Sequence, residues 1–199
     1  MGDAQARRLL EAPAPDAMKG VRDRAILATL LYHGIRREEL CSLRLRDIQN
    51  REGVMHFRVK GKRDKIRFVP VHPMAQRLIE AYLAVAKHGG EQDGADLDGP
   101  LFCAVVNNRT GTLDKHLDPG SVYRNIDSKY GKATGINAEV NGLCVHSLRA
   151  TAATNALSHE AGIAKVQEWL GHANVSTTQR LYDRRKTRPE DCPTFHVKY

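Results

Sequence analysis

The sequence is poor in the residues that metal and redox sites need. Four cysteines stand in 199 residues, and no two are close enough for a CxxC pair. That excludes zinc ribbons and thioredoxin-like motifs and reads the thiols as reduced, in the core or at the surface. Nine histidines form neither HxxxH nor HExxH, so a metal cofactor is not expected. No apolar run approaches the ~20 residues of a membrane span, so no membrane partner is expected. Met1 to Gln5 lacks the basic-then-apolar pattern of a secretory leader, and a cytoplasmic location is the expectation. There is no internal repeat or low-complexity tract. Acidic residues are outnumbered, 23 Asp plus Glu against 31 Lys plus Arg, for a net charge of +8. Such a surplus points to a polyanion, nucleic acid before an anionic membrane face. Hydrophobic residues at 41% and charged residues at 27% exclude a wholly disordered chain. The length suits one domain, able to bury roughly 70% of its unfolded surface without disulfides.

The periodicities predict a mostly helical chain with one small sheet. Asp3 is expected to cap a helix through Glu11, closed by Ala12-Pro13-Ala14-Pro15. Val21, Ala25, Ala28 and Tyr32 recur at helical spacing from Lys19 to Tyr32, with His33-Gly34 as the stop. A further helix is expected from Arg36 to about Leu45. Val54 to Lys60 and Lys65 to Val69 then alternate with period two around Gly61 to Asp64, an antiparallel hairpin to which Asp47 to Arg51 is expected to add a short strand. His72 to Lys87 is amphipathic, Gly89 to Gly99 is a loop, and Leu101-Phe102 re-enters the core. Asp118-Pro119 opens a helix in which Val122, Ile126 and Tyr130 repeat every four residues, ended by Gly131 to Gly135. Helices are expected at Ser147–Leu157, Ile163–Leu170 and Ser176–Arg184, and an extended segment from Thr187 to Tyr199.

Several residues carry chemistry beyond packing. Arg36 and Glu39 share one face of a helix start; alone they read as a surface ion pair or as an arginine aimed at phosphate and oriented by a carboxylate. Six cations crowd ten residues of the hairpin: Arg58, Lys60 and Lys62 in one parity, Arg63, Lys65 and Arg67 in the other. They read as an edge guarded by charge or as a basic finger for a nucleic-acid groove, with Lys62 near the turn able to reach a phosphate. His146 and Arg149 lie one helical turn apart. His172 follows a helix end, where the helix dipole alone would account for it. Tyr182 lies in an Arg- and Thr-rich stretch, where an isolated tyrosine is ordinarily half-buried packing.

Together these residues change the reading. The ordered series Gly34-Ile35-Arg36-Arg37-Glu38-Glu39-Leu40, Gly61-Lys62 with Arg67-Phe68-Val69-Pro70, His146-Ser147-Leu148-Arg149, Leu170-Gly171-His172 and Thr177-Thr178 to Tyr182 resembles the tyrosine recombinases, or phage integrase family, over about Lys19 to Lys186. The resemblance implies an α+β, mainly helical catalytic domain with a three-stranded antiparallel sheet over residues 1–186. It implies Arg36, Lys62, His146, Arg149 and His172 as catalytic residues, Glu39 as support, and Tyr182 as a nucleophile that cuts and rejoins DNA through a 3′-phosphotyrosyl link, without metal or cofactor. Lys60 and Lys65 are near alternatives to Lys62.

Arg58, Lys60, Arg63, Lys65, Arg67 and Arg180 are the expected DNA-binding cations. Double-stranded DNA is the implied partner, with a homotetramer on DNA, a monomer without it, and a nucleoid setting in a bacterium or phage. Residues 187–199 are expected as a tail that docks on a neighbouring protomer, and the family's N-terminal DNA-clamp domain is expected to be absent. His172 and Tyr182 stand one residue further apart than the family usually shows, which Ala173-Asn174-Val175 is expected to absorb in a loop. A type IB topoisomerase-like relaxing enzyme and a non-catalytic DNA-binding remnant are the competing readings.

Overall fold

The computed structural model describes residues 1–61, 64–87, 97–105, 115–139 and 143–183, the side chains of 127, 128, 138 and 181–183 excepted. The chain divides into two compact units, residues 1–152 and 153–199.

The first unit opens with α1 (Asp3–Glu11). Its cap is Gly2, whose N–H donates to Gln5 Oε1 at 2.9 Å, so Asp3 is the first helical residue rather than the cap. There its charge still suits the positive end of the helix. Helix α2 (Met18–His33) buries Ala25, Ile26, Leu27, Ala28 and Leu30 and ends at Gly34, with φ of 55°. A side chain at Gly34 would be strained in this left-handed conformation, which explains the glycine. Helix α3 (Arg37–Ser42) is shorter than the sequence predicts. Leu43 turns extended, its carbonyl accepts the Leu101 N–H, and a 3₁₀ turn follows at Leu45–Asp47.

The expected sheet forms from β1 (Ile48–Arg51), β2 (Val54–Lys60) and β3 (Ile66–Pro70), antiparallel in the order β1-β2-β3. Val59 pairs with Arg67 and Arg58 with Phe68. Paired residues share a face. Arg67 therefore lies on the face of buried Phe57, Val59 and Val69, while Arg58 lies on the opposite face with exposed Phe68. Arg58 and Arg67, read from the sequence as parts of one finger, thus lie on opposite faces of the sheet.

Helix α4 (Pro73–Ala86) packs on α2, with the Tyr32 and His72 rings stacked at 4.1 Å. Leu101 and Phe102 are buried, as expected. Helix α5 (Pro119–Arg124) continues as a π-helical stretch, Asn125–Gly131. A repeat of four residues overruns an α-helical turn by about 40° each time. The wider turn corrects this, and Val122, Ile126 and Tyr130 are all buried. Helix α6 (Ile136–Glu139), which the sequence pattern did not suggest, precedes α7 (Val145–Ser158).

In the second unit α8 (Ile163–Leu170) and α9 (Val175–Asp183) pack together, and Ala153, Leu157, Val166 and Leu170 form a small core. Most of the predicted Gly89–Gly99 loop and the whole 187–199 tail lie outside the described residues. Among the described residues no helix is long and apolar enough to cross a membrane.

Candidate functional site

The site in the first unit is built around Glu39. Arg36 is the residue before α3, and its backbone N–H donates to Glu39 Oε2 at 2.8 Å, as in a capping box. Arg36 Nη1 donates to Oε1 at 2.7 Å. From β3, Arg67 donates to both oxygens, Nη1 to Oε1 at 2.9 Å and Nη2 to Oε2 at 2.7 Å. An ionised carboxylate offers about four acceptor positions, and these four bonds fill them. Glu39 is 5% exposed. Burial opposes its charge, but the Arg67 fork and the Arg36 donors outweigh it and hold the carboxyl at about 2. A carboxylate saturated in this way stays ionised at neutral pH and takes no part in proton transfer there; it aims arginines.

Arg149 arrives from α7 and is buried. Its Nη1 donates to the carbonyl of Gly34, the residue that ends α2. Burial first, then the like charges of Arg36 and Arg67, lower its pKa to about 10, so it stays protonated at neutral pH. Arg36, Arg37, His146 and Arg149 line one cavity of about 390 Å³, together with Glu38 and Tyr123. His146 is exposed there. Three buried or half-buried guanidinium groups around a single carboxylate leave a positive cavity, suited to a tetrahedral oxyanion.

His33 anchors this wall. Its Nδ1 lies 3.0 Å from the Thr29 carbonyl, its Nε2 accepts the His72 N–H at 2.9 Å, and its ring meets Phe57 edge-on. The carbonyl requires a proton on Nδ1 and the incoming N–H requires a lone pair on Nε2, so the ring is neutral. Burial, with His72 nearby, pushes its pKa down to about 4 against the Thr29 hydrogen bond. In the sequence His33 stands out only as part of the His33-Gly34 helix stop.

In the second unit His172 follows Gly171, the left-handed residue that ends α8. Its Nδ1 lies 2.9 Å from Oγ1 of fully buried Thr178 on α9. Ala173 and Asn174 lie between the helices and Val175 already opens α9. Tyr182 is on the α9 backbone one turn beyond Thr178; its side chain lies outside the described residues.

The structure therefore brings together Arg36, Glu39, His146 and Arg149 in one unit and places His172 with the Tyr182 backbone in the other. Lys62 and Arg63 lie outside the described residues. Among the expected DNA-facing cations, Lys65 and Arg180 are exposed. Lys60 meets Asp64 at 3.0 Å at the surface and Arg58 meets Asp47 at 3.2 Å. Arg67 differs from them: its side chain is only 15% exposed and turns inward onto Glu39. The signal was its shared parity with Val69, an apolar residue of the buried face. No sequence pattern marked Tyr123.

A model of the phage integrase family matches residues 1–188. Tyrosine recombinase XerC of Thermodesulfovibrio yellowstonii is 38% identical over 174 residues, which are 86% of this chain and 53% of that protein. XerC of Myxococcus xanthus is 37% identical over 172 residues, again 86% of this chain and 53% of the relative. The chain spans about half the length of these curated relatives. The crystal structure of XerA recombinase is similar with a TM-score of 0.76 and 30% identity, over 100% of this chain and 64% of that one. The XerH site-specific recombinase bound to palindromic difH substrate, a post-cleavage complex, shares the fold with a TM-score of 0.74 and 24% identity, over 96% of this chain and 51% of that one. The mainly helical architecture with its three-stranded antiparallel sheet is thus that of the tyrosine recombinase catalytic domain, and the chain belongs to the phage integrase family.

Proposed function

We propose that the chain is the strand-cutting part of a site-specific DNA recombinase. The observation that carries this reading is the cavity walled by Arg36, His146 and Arg149, with Glu39 saturated behind it. A phosphodiester fits such a wall, because its transition state gathers negative charge on the non-bridging oxygens and fixed cationic donors stabilise that charge. Arg36, Arg149 and His172 are the donors in this reading. Tyr182 attacks phosphorus, its proton passes to His146, and the 5′-oxygen leaves as a hydroxyl with a proton from Lys62. The 3′-phosphotyrosyl bond keeps the ester energy, so a second 5′-hydroxyl reverses the step and reseals the strand.

Exchange between two duplexes needs four cuts, hence four chains on a pair of sites; without DNA a monomer is expected. Arg58, Lys60, Arg63, Lys65 and Arg180 meet phosphates in this reading, which position the protein without reading sequence. DNA as substrate puts the protein on the chromosome or a mobile element.

The test is covalent capture. The full chain is incubated with a randomised pool of nicked duplexes, and DNA that survives denaturant on protein is sequenced. An adduct that forms with wild type and vanishes in Tyr182→Phe, with DNA binding retained, is the expected result. An adduct that persists in Tyr182→Phe overturns the nucleophile, and relaxation of supercoiled plasmid without strand exchange supports a topoisomerase instead.

A further inference from the structure

Tyr123 has no role in the chemistry above, yet it lines the same cavity as Arg36, His146 and Arg149. It is not a core residue. The buried face of its helix is Val122, Ile126 and Tyr130, and Tyr123 stands off that face, 41% exposed. The helix that carries it is anchored further along. The π-helical stretch that follows is pinned by Tyr130, whose hydroxyl donates to Asp23, itself bound by Arg22 and Lys19. A volume of about 390 Å³ would hold about a dozen waters, far more than one phosphate group occupies. The rest of a phosphodiester is sugar, and a deoxyribose presents C–H faces that match an aromatic ring better than a cation.

We infer that Tyr123 is a substrate-contacting residue whose ring covers the deoxyribose beside the phosphate held by Arg36 and Arg149. This rests on the recombinase reading above. The ring, not the hydroxyl, does the positioning: it sets the sugar, and through it the phosphorus, in line for attack.

The experiment is single-turnover capture on a duplex recovered from the randomised pool, and on the same duplex with a propanediol spacer replacing one sugar beside the cut. Tyr123→Ala is expected to lower the capture rate about tenfold, the size of one good aromatic contact, and Tyr123→Phe to stay within about twofold of wild type. The spacer is expected to slow wild type by a similar factor and to slow Tyr123→Ala no further, since both remove the same contact. Equal losses in Tyr123→Phe and Tyr123→Ala overturn the proposal in favour of the hydroxyl. A Tyr123→Ala rate like wild type, or losses that multiply on the spacer duplex, overturn it outright. The spacer measured on wild type needs no variant to fold. Capture by wild type with no Tyr123 effect removes this inference alone; failure of wild type to capture any duplex removes the recombinase reading and this inference with it.

Discussion

Arg67 sets its two terminal nitrogens on the two oxygens of Glu39, at 2.9 and 2.7 Å, from a strand 28 residues further along the chain. The pair is largely buried, with side-chain exposures of 15% and 5%. It ties the sheet to the start of α3 and leaves the Arg36 guanidinium held by a carboxylate that cannot swing.

Removing one partner of such a pair leaves a buried charge uncompensated. Arg67→Ala is expected to cost about 3–5 kcal/mol of stability. Arg67→Lys restores the charge but not the fork, and should recover only part of it. Urea unfolding of the three proteins checks this; a loss below about 1 kcal/mol for Arg67→Ala would show the pair to be dispensable.

Two buried groups contribute to the acid limit of stability in different windows. His33 titrates at about 4 in the fold against 6.5 ordinarily. Between these values the unfolded chain takes up a proton that the native one does not, so stability falls as pH drops from about 6.5 to 4, by about 3 kcal/mol. Glu39 titrates at about 2 against 4.5 ordinarily. Its contribution is present above about 4.5 and is lost as pH falls towards 2. Unfolding free energy measured every half pH unit should show both declines. His33→Leu should remove the upper one whatever its own cost, and an unchanged slope there would exclude His33 as its source.

Thr178 holds His172 by its Nδ1 at 2.9 Å. Thr178→Val keeps the shape and removes the hydroxyl, at about 0.5–1.5 kcal/mol for one hydrogen bond. If His172 stabilises the transition state, the capture rate should fall about two- to tenfold while DNA affinity holds. A matching fall in affinity would mean that the contact serves binding instead.

Lys62 is assigned to protonate the leaving oxygen. Lys62→Ala should therefore slow cleavage far more than binding on an ordinary phosphodiester. On a 5′-bridging sulfur substrate, whose thiolate leaves without a proton, the variant should approach the wild-type rate. Equal loss on both substrates would assign Lys62 to holding phosphate.

Much of the fold was legible because its causes are local. Period-two alternation at Val54 to Lys60 and the Gly34 stop after an apolar helix are written within a few residues of where they act, and β2 and α2 follow them closely. The family was legible from motif order along the chain. What fills the buried face of the sheet was not. Arg67 and Glu39 each carry a charge that local sequence places equally well in solvent, and only the tertiary structure, which brings the two side chains together, makes them one bidentate pair. The same holds for His33, whose neutral state depends on a backbone N–H 39 residues away, and for Tyr123, which meets Arg36, His146 and Arg149 only at the wall of the folded cavity. Local pattern decides which residues share a helix or strand face, because backbone geometry repeats every few residues. Which faces meet, and so which charges are stripped of water and shifted, is decided by contacts between segments far apart in the chain.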